Sequence, residues 1–431
     1  MTEESTNRPA AGGSEEDGLL TEARRLLPDI ISLRRALHRE PELGGHLPRT
    51  QARVLESLEG LPLHVTTGTR LSSVTAVLEG AHPGPTMLLR ADMDALPQHE
   101  ETGLDFASAI PGAMHACGHD LHTAMLVGAA RLLAARREEL AGRVVFMFQP
   151  AEESGGGAPV MIEEGVLTTP DGHSVDAAFA LHVTTRFESG TLHLRPGPMF
   201  AASDLIHLTV RGRGGHASAP HLALDPIPVA CEIVQALQSF VTRTVSVFDP
   251  AVLTIARIEA GTTTNIIPET AELYGTFRTL TPDTRRRVRA GIERVARHIC
   301  AAHGAEAGID LNEGYPPLHN EPVCTAAVRQ AVAARLGQGI VHDLAEPVMG
   351  AEDFAYVLER VPGAMAFLGA RPPSPPTRNV PDMHSNRVVF DEDAMTTGIA
   401  THAAVALHHT SAASEAKPSA SRRSHAAGEG A

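Results

Sequence analysis

The sequence has no tryptophan, and aromatic residues make up only 3% of its 431 residues. This scarcity argues against a surface of stacked rings for carbohydrate or single-stranded nucleic acid. Basic residues are also in the minority, with 36 Lys and Arg against 51 Asp and Glu, so the formal net charge is −15. We therefore expect no nucleic-acid partner, and an acidic surface that favours solubility.

Cysteines are few and far apart: they are Cys117, Cys231, Cys300 and Cys324. This spacing provides neither a disulfide framework nor a CxxC pair, so a reducing, cytoplasmic environment is predicted. The first residues contain no basic segment followed by an apolar one, so we expect no secretory signal. No run approaches the roughly 20 apolar residues that cross a bilayer, so no membrane partner is expected.

The length favours two domains, because about 100–200 residues are typical of one. Up to residue 199, short apolar runs alternate with helical patterns. The runs lie at 86–91, 143–149 and 177–183, and the helical patterns at 19–39 and 121–140. Apolar strands between helices predict an α/β catalytic domain with a mixed or parallel sheet that is covered on both faces.

Residues 200–312 have a different pattern. Strands are predicted at 205–210, 251–259, 271–280 and 307–311, and helices at 226–242 and 282–303. The order β-α-β-β-α-β is that of a ferredoxin-like α+β unit, which we interpret as an inserted lid or dimerisation domain. Beyond it, predicted helices at 321–336 and 391–408 flank an apolar run at 364–369, so the chain returns to the first domain.

The predicted organisation therefore has a catalytic domain in two parts, 19–199 and 313–410, around the insert 200–312. Residues 1–18 are acidic and rich in small residues, and residues 411–431 are polar and small. Such composition cannot bury a core, so both segments are predicted to be disordered tails.

Polar residues follow or end three of the predicted apolar strands. Asp92 and Asp94 follow the first, Glu152 and Glu153 follow the second, and His182 lies at the end of the third. In open α/β sheets, ligands bind outside the carboxyl ends of the strands. The sequence therefore predicts a site at this edge of the sheet.

The segment MHACGHDLH (114–122) gathers a thiol, three imidazoles and a carboxylate just before a predicted helix. These are the ligand types of a borderline-soft divalent metal. Gly118 would let the backbone turn so that Cys117 and His119 point at a common centre.

The adjacent carboxylates of Glu152 and Glu153 need different roles, because two neighbours cannot share one metal vertex. One can bind a metal while the other stays free beside the attacking water. The free carboxylate then takes the proton of the water and passes it to the leaving amine.

Longer motifs follow one another along the chain: LRRALHREPEL (33–43), LRADMDALP (89–97), MHACGHDLHTAMLVGAA (114–130), FQPAEESGGGA (148–158), RGRGGHASAPH (211–221), GTTTNIIPE (261–269), MGAEDFAYVL (349–358) and HSNRVVFDEDA (384–394). With these motifs the sequence resembles the metal-dependent aminoacylase/carboxypeptidase family. The similar branch contains hippurate hydrolases, auxin-conjugate hydrolases and bacterial N-acyl-amino-acid amidohydrolases. The resemblance covers nearly the whole chain between the predicted tails.

The resemblance implies two divalent metal ions per subunit, with zinc, manganese, cobalt and nickel as candidates. The implied metal ligands are Cys117, His119, Glu153, His182 and His384. Glu152 is the implied general base, and Asp94 matches the acidic residue that orients a metal-binding histidine. Asp92 stands where more distant members have a histidine ligand, which leaves its role open.

Within residues 200–312, the resemblance implies that His216 stabilises the tetrahedral oxyanion and that Asn265 and Arg278 hold the carboxylate of the substrate. In relatives, such residues can come from a partner subunit. The guanidinium of Arg278 suits a carboxylate, although a charge on a sheet face would explain it equally well.

The implied activity is hydrolysis of the amide bond of N-acyl amino acids or related conjugates, by a metal-bridging hydroxide in a homodimer or higher homo-oligomer. Two alternatives remain at this point. Cys117 could be the nucleophile of a thiol hydrolase, with a neighbouring histidine as its base; this leaves Glu152, Glu153, His182 and His384 without roles. A non-catalytic relative that binds a small molecule would keep the site but show no turnover.

Overall fold

The computed structural model describes residues 18–373 and 380–412, so most of the two predicted tails lies outside the described residues. The helices of the described part are α1 (Leu19–Arg39), α2 (Pro48–Leu58), α3 (His119–Ala135), α4 (Gly157–Glu163), α5 (Pro226–Thr244), α6 (Pro282–Ala302), α7 (Pro322–Arg335), α8 (Ala355–Leu358) and α9 (Ala394–Ala412). None of them has the length and apolarity needed to cross a membrane.

The strands of the same residues are β1 (Leu63–Thr67), β2 (Val74–Glu79), β3 (His82–Asp92), β4 (Ala141–Gln149), β5 (Ala177–Glu188), β6 (Leu192–Leu194), β7 (Gly197–Phe200), β8 (Asp204–Arg211), β9 (Gly215–His216), β10 (Ala251–Ala260), β11 (Ile266–Ile267), β12 (Thr270–Thr279), β13 (Glu306–Glu313), β14 (Leu318–Asn320), β15 (Val341–Asp343) and β16 (Gly363–Arg371).

The large sheet has eight strands in the order β1-β2-β4-β3-β5-β16-β6-β15. Its centre, from β4 to β16, is parallel. The pairs β1–β2, β2–β4 and β16–β6 are antiparallel, and the edge pair β6–β15 is parallel again. The predicted α/β fold with a mixed sheet is therefore confirmed.

Both faces of this sheet are covered, as the apolar runs predict. In β4, Val144 and Phe146 belong to the core on one face, together with residues of α1, α3 and α9. The intervening Val145 and Met147 belong to the core on the other face, beneath α4 and α8. Because successive side chains of a strand point to opposite faces, a strand that is buried on both sides must be apolar throughout.

The helix predicted at 121–140 differs from the structure at both ends. Helix α3 begins earlier, at His119, and ends at Ala135; a short 3-10 turn spans Arg137–Glu139 before β4 begins. The residues of that turn are charged and none is buried, so they cannot extend a helix that is packed on nearly all sides. The earlier start places His119 and His122 in the first turn of α3, one helical turn apart.

A second sheet is antiparallel, with the order β10-β12-β8-β13. Its elements follow the chain order β8-α5-β10-β12-α6-β13, and the strand order is that of ferredoxin-like units. Ile206, Leu208 and Val210 alternate along β8 and belong to a third core formed with α5 and α6. Leu205, which precedes Ile206 and points to the opposite face, is 53% exposed, as expected of a strand with one open face.

Candidate metal centre

The carboxyl edge of the large sheet gathers the predicted donor residues. Strand β3 ends at Asp92, and the residues after β4 include Glu152 and Glu153. His182 lies inside β5 rather than at its end, because β5 continues to Glu188. The pairing of β3 with β5 ends at Arg90 and Ala180, so His182 still lies beyond the last paired residue of β3.

All five predicted metal ligands come together at this edge. Donor atoms lie within 4.8 Å of one another in three overlapping groups: Cys117, His119 and His182; Cys117, Glu153 and His384; and His119, Glu152 and Glu153. The overlap makes one continuous cluster of thiol, imidazole and carboxylate groups. This is a donor set suited to zinc and similar divalent ions.

Gly118 produces the turn between two of these donors. Its φ of +86° lies in the left-handed region, and a Cβ at this position would lie 2.3 Å from Cγ2 of Val183. The carbonyl oxygen of Gly118 accepts hydrogen bonds from the backbone NH groups of Leu121 and His122. Only glycine combines this conformation with so close an approach, and the turn directs Cys117 and His119 towards one point.

Hydrogen bonds leave one nitrogen of His119 available to a metal. Nδ1 lies 2.8 Å from the carbonyl oxygen of Asp94, which fixes it as the donor atom. Nε2 is buried and has no hydrogen-bond partner among the described residues. Because buried polar atoms are normally satisfied, this nitrogen fits a metal ligand whose ring is oriented from behind.

His182 and His384 complete the cluster from two further elements. Nδ1 of His182 lies 2.8 Å from its neighbour's carbonyl oxygen, while Nε2 faces Sγ of Cys117 at 3.5 Å. Nε2 of His384 lies 3.3 Å from Oε1 of Glu153. The residues present therefore fit the metal ions that the sequence predicts.

Backbone strain coincides with the cluster. Within the described residues, only two non-glycine residues have a positive φ: Ala151 at +62° and His384 at +66°. Ala151 directly precedes Glu152, and His384 is itself a predicted ligand. Such conformations cost of the order of 1–3 kcal/mol and persist where the surrounding structure fixes them, commonly at functional sites.

Asp94 positions the two adjacent glutamates. Its carboxylate accepts the backbone NH of Glu152 at 2.9 Å and that of Glu153 at 3.1 Å. Its effect on His119 comes mainly from the backbone carbonyl, since the nearer carboxylate oxygen lies 3.6 Å from Nδ1. One residue therefore sets the orientation of a predicted base and of two predicted ligands.

Asp92, whose role the sequence leaves open, lies between two buried partners. Its Oδ1 is 2.6 Å from Nδ1 of His122, and its Oδ2 is 2.5 Å from Nη1 of Arg90. Nε2 of His122 accepts the backbone NH of Val183, so both nitrogens of that ring are used. Oδ2 of Asp92 also lies 3.6 Å from Nε2 of His119. His122 therefore supports the site through Asp92 and β5.

Arg90 holds an acidic network that the sequence analysis missed. Its guanidinium lies 2.9 Å from carboxylate oxygens of both Glu352 and Asp353, and it donates to Gln149 at 3.0 Å. Glu152 also lies within 4.8 Å of these two acids. Two signals were available: an arginine inside an apolar strand, and the acidic pair in the motif 349–358, to which no role was given.

Buried negative charge dominates the electrostatics of the site. Burial raises the pKa of Glu152 well above its ordinary value, and the charges of Glu352, Glu153 and Asp353 raise it further. Burial also raises the pKa of the Cys117 thiol, with a further contribution from Glu153. Divalent cations at this point would offset the charge and hold the thiol as thiolate.

The thiol-hydrolase alternative does not fit these surroundings. A nucleophilic cysteine needs a lowered pKa, and that of Cys117 is raised. His182, whose Nε2 lies 3.5 Å from Sγ of Cys117, has a pKa lowered to about 3 by burial and by His122, so this ring supplies no cationic partner for a thiolate. Cys117 therefore suits metal binding better than nucleophilic attack.

The other predicted site residues lie in or beside the second sheet. His216 pairs with Ile266 between β9 and β11, and the carbonyl oxygen of Asn265 accepts the NH of Ala217 at 3.1 Å. His216 and Asn265 are exposed, whereas Arg278 is half-buried in β12. Within residues 18–373 and 380–412, no hydrogen bond or ion pair joins His216, Asn265 or Arg278 to the donor cluster.

An α/β sheet that collects thiol, imidazole and carboxylate donors at its carboxyl edge is typical of a metal-dependent hydrolase. The chain belongs to peptidase family M20/M25/M40, whose family model matches residues 88–408. The family predicted from the motifs and its metal-dependent amide-hydrolase chemistry are thereby confirmed.

Individual relatives match over most of their length. The chain is 38% identical over 393 residues to thermostable carboxypeptidase 1 of Saccharolobus solfataricus, covering 90% of this chain and 97% of the relative. It is 39% identical over 368 residues to N-acetylcysteine deacetylase of Bacillus subtilis, covering 85% and 93%. A crystal structure of a dinuclear metal-binding peptidase of family M20 from Bacillus subtilis matches with a TM-score of 0.78 at 35% identity, covering 90% and 99%.

Proposed function

We propose that this amide hydrolase cleaves N-acyl amino acids or related amino-acid conjugates. The observation that carries the proposal is the position of Glu152, a buried carboxylate that Asp94 fixes beside the predicted ligand Glu153. The similarity to a carboxypeptidase and to an N-acetylcysteine deacetylase supports it, because both names describe amide bonds next to an amino acid.

The proposed metal ligands are Cys117, His119, Glu153, His182 and His384, which hold two divalent ions drawn from zinc, manganese, cobalt or nickel. When bound, such ions lower the pKa of a water molecule and polarise the carbonyl that it attacks. The overlapping donor groups support two neighbouring positions, since Glu153 and His119 each belong to more than one group.

Glu152 is the proposed proton carrier. It accepts a proton from the attacking water and delivers it to the nitrogen of the leaving amine, so that its own charge is restored after each turnover. The carboxylate can do both because Asp94 fixes the backbone NH of Glu152 and so restricts its position. Burial raises the pKa of Glu152, and the nearby acids Glu352, Glu153 and Asp353 raise it further.

Residues 200–312 are proposed to form an inserted lid that also dimerises, in a cytoplasmic homodimer or higher homo-oligomer. The separate core around β8 supports this division. Exposed Val252 and Ile258 on the edge strand β10 support a contact with a second copy. Closure would bring His216 to the oxyanion and Asn265 and Arg278 to the substrate carboxylate; the exposure of His216 and Asn265 supports such contacts.

Replacement of Glu152 by glutamine tests the mechanism. Glu152→Gln keeps the shape of the side chain but cannot carry the proton, so turnover should fall by at least 100-fold while the bound metal is unchanged. Glu153→Gln is the matched variant, and it should lose metal as well as activity. Activity is measured on a panel of N-acyl amino acids and metal content by elemental analysis.

Retained turnover in Glu152→Gln would exclude its role as the base. A wild-type protein that binds metal and N-acyl amino acids without hydrolysing any of them would instead support a non-catalytic binding relative.

A further inference from the structure

A cavity of about 130 Å³ lies beside the metal centre, on the carboxyl side of His182. Apolar side chains form most of its wall: Phe187, Leu344, Pro347, Val348, Phe367 and Met383. Three polar residues, Thr184, Arg186 and Glu346, complete it. The mechanism proposed above uses none of these residues.

Three wall residues connect the cavity to two predicted ligands. Phe367 pairs in register with His182 across β16 and β5, and the two ring centroids are 5.9 Å apart. Thr184 lies two residues beyond His182 on the same strand, where side chains share a face. Met383 directly precedes His384. The wall of the cavity therefore contacts His182 through Phe367 and adjoins His384 through Met383.

The polar wall residues are unsuited to a carboxylate. The guanidinium of Arg186 is paired with Asp382, with Nε 2.7 Å from Oδ2. Thr184 uses its hydroxyl oxygen to accept the backbone NH of Arg186. Glu346 is exposed at the rim and would repel an anion. The cavity thus offers apolar surface and no unpaired cation.

The apolar wall and the acidic rim of the cavity determine which half of the substrate can bind in it. The amino-acid half of an N-acyl amino acid carries a carboxylate beside the scissile bond, and Glu346 disfavours it here. The acyl half is uncharged. Apolar cavities of about 150 Å³ accept a single benzene ring, so a cavity of about 130 Å³ suits a short branched chain or one ring.

We propose that this cavity is the acyl subsite and selects short aliphatic or single-ring acyl groups. This proposal rests on the proposed function, because it assigns the cavity to the acyl half of an N-acyl amino acid. It makes Leu344 a specificity-determining residue, since this half-buried side chain lies on the wall away from the predicted ligands.

Opposite changes at Leu344 test the proposal. Leu344→Trp fills the cavity, and it should lower kcat/KM for N-benzoyl-alanine at least tenfold more than it lowers kcat/KM for N-acetyl-alanine, because the acetyl group is much smaller than the benzoyl ring. Leu344→Ala enlarges the cavity and should raise the relative kcat/KM for longer acyl chains. Val323→Trp is the control, because it adds the same ring on α7 at a side chain that is 73% exposed.

A second series varies the amino acid with the acetyl group held constant. Both Leu344 variants should keep the wild-type order of preference in this series. An altered amino-acid preference, or an equal loss for every acyl group, would overturn the acyl assignment.

Binding separates this proposal from the proposed function. Calorimetry on Glu152→Gln, with and without Leu344→Trp, reports the affinity for N-benzoyl- and N-acetyl-alanine in the absence of turnover. Benzoyl-selective binding that Leu344→Trp abolishes supports the subsite even if wild type hydrolyses neither compound, in which case the proposed function alone fails. Absence of benzoyl-selective binding overturns the subsite.

Discussion

The hydroxyl of Tyr315 donates a hydrogen bond to the backbone carbonyl oxygen of Glu152. The same hydroxyl accepts the backbone NH of Gly155 at 3.1 Å, so it joins both sides of the loop that carries the proposed base. The carbonyl oxygen of Tyr315 accepts the NH of Ser203, which directly precedes β8. Tyr315 therefore links the base loop to the chain segments that lead into and out of the second sheet.

Removal of this hydroxyl should slow catalysis without displacing metal. Tyr315→Phe keeps the ring but loses both hydrogen bonds, and the loop around Glu152 becomes less restricted. We expect kcat to fall about tenfold, which corresponds to about 1.4 kcal/mol and lies within the usual range for buried hydrogen bonds. Steady-state kinetics and metal analysis check this result.

Tyr356→Phe is the control for Tyr315→Phe. Its hydroxyl donates to the carbonyl oxygen of Gly314 at 3.3 Å, and it has no hydrogen bond to Glu152. It should change kcat less than twofold. A similar loss in both variants would show that the link between Tyr315 and Glu152 has no specific effect.

Gly118 should tolerate no side chain, for a reason that can be separated from its backbone conformation. Gly118 and Gly112 have φ values of +86° and +78°, so alanine is strained at both. A Cβ added at Gly118 would lie 2.3 Å from Cγ2 of Val183. A Cβ added at Gly112 would have no neighbouring atom within 4 Å among the described residues. Gly118→Ala should therefore weaken metal binding at least tenfold, and Gly112→Ala should leave it unchanged.

Competition with a chelator measures both affinities, and thermal unfolding reports the strain. Equal loss of metal in the two glycine variants would mean that backbone strain, and not the contact with Val183, determines the result.

Local patterns predicted the regular elements well. Helix α1 has the predicted bounds because its apolar residues recur at helical spacing and pack against α3 and α9. The pairs β1–β2 and β6–β15 were not predicted, because such short strands depend on their neighbours and not on a pattern of their own. Helix α9 continues to Ala412, beyond the predicted start of the tail at 411.

The site residues likewise divide into those that the sequence predicts and those that only the fold brings together. Residues with typical ligand side chains, such as Cys117 and His119, stand out in the sequence because few other roles gather them so closely. Arg90 and Glu352 give weaker signals, since their importance comes from an ion pair that joins residues 262 positions apart. The proximity of His216 to Asn265 likewise follows from the pairing of β9 with β11, which no local pattern encodes.

Arg90 should contribute strongly to stability because it neutralises acids that are all buried. Arg90→Met leaves Asp92, Glu352 and Asp353 without their shared cation, and loss of one partner of a buried ion pair costs about 3–5 kcal/mol. Urea unfolding of the metal-free protein measures this loss. Arg131→Met is the control: within the described part of the chain Arg131 donates only to the carbonyl oxygen of Ser57, so its replacement should cost much less.

Acid should destabilise the protein partly through Glu100. Burial by itself raises the pKa of this carboxyl, but hydrogen bonds from His38, Thr102 and the NH of Ser108 outweigh it and lower the pKa to about 2. A carboxyl whose pKa is lower in the folded state stabilises the fold above its unfolded pKa of about 4.5, and this contribution disappears as the pH falls towards 2. Glu100→Gln cannot ionise, so its stability should lack this component of the pH dependence.

At pH 7 the free energy of unfolding of Glu100→Gln should be lower than that of wild type by about 1.5–3 kcal/mol, the usual value for hydrogen bonds to a charged group. The two curves should converge between pH 4.5 and 2, because wild-type Glu100 becomes protonated there. Glu101→Gln is the matched control: the neighbouring carboxylate pairs with Arg387 on the surface, where solvent screens the interaction, and its effect should be much smaller. Parallel curves for wild type and Glu100→Gln over this range would show that the contacts of Glu100 do not depend on its charge.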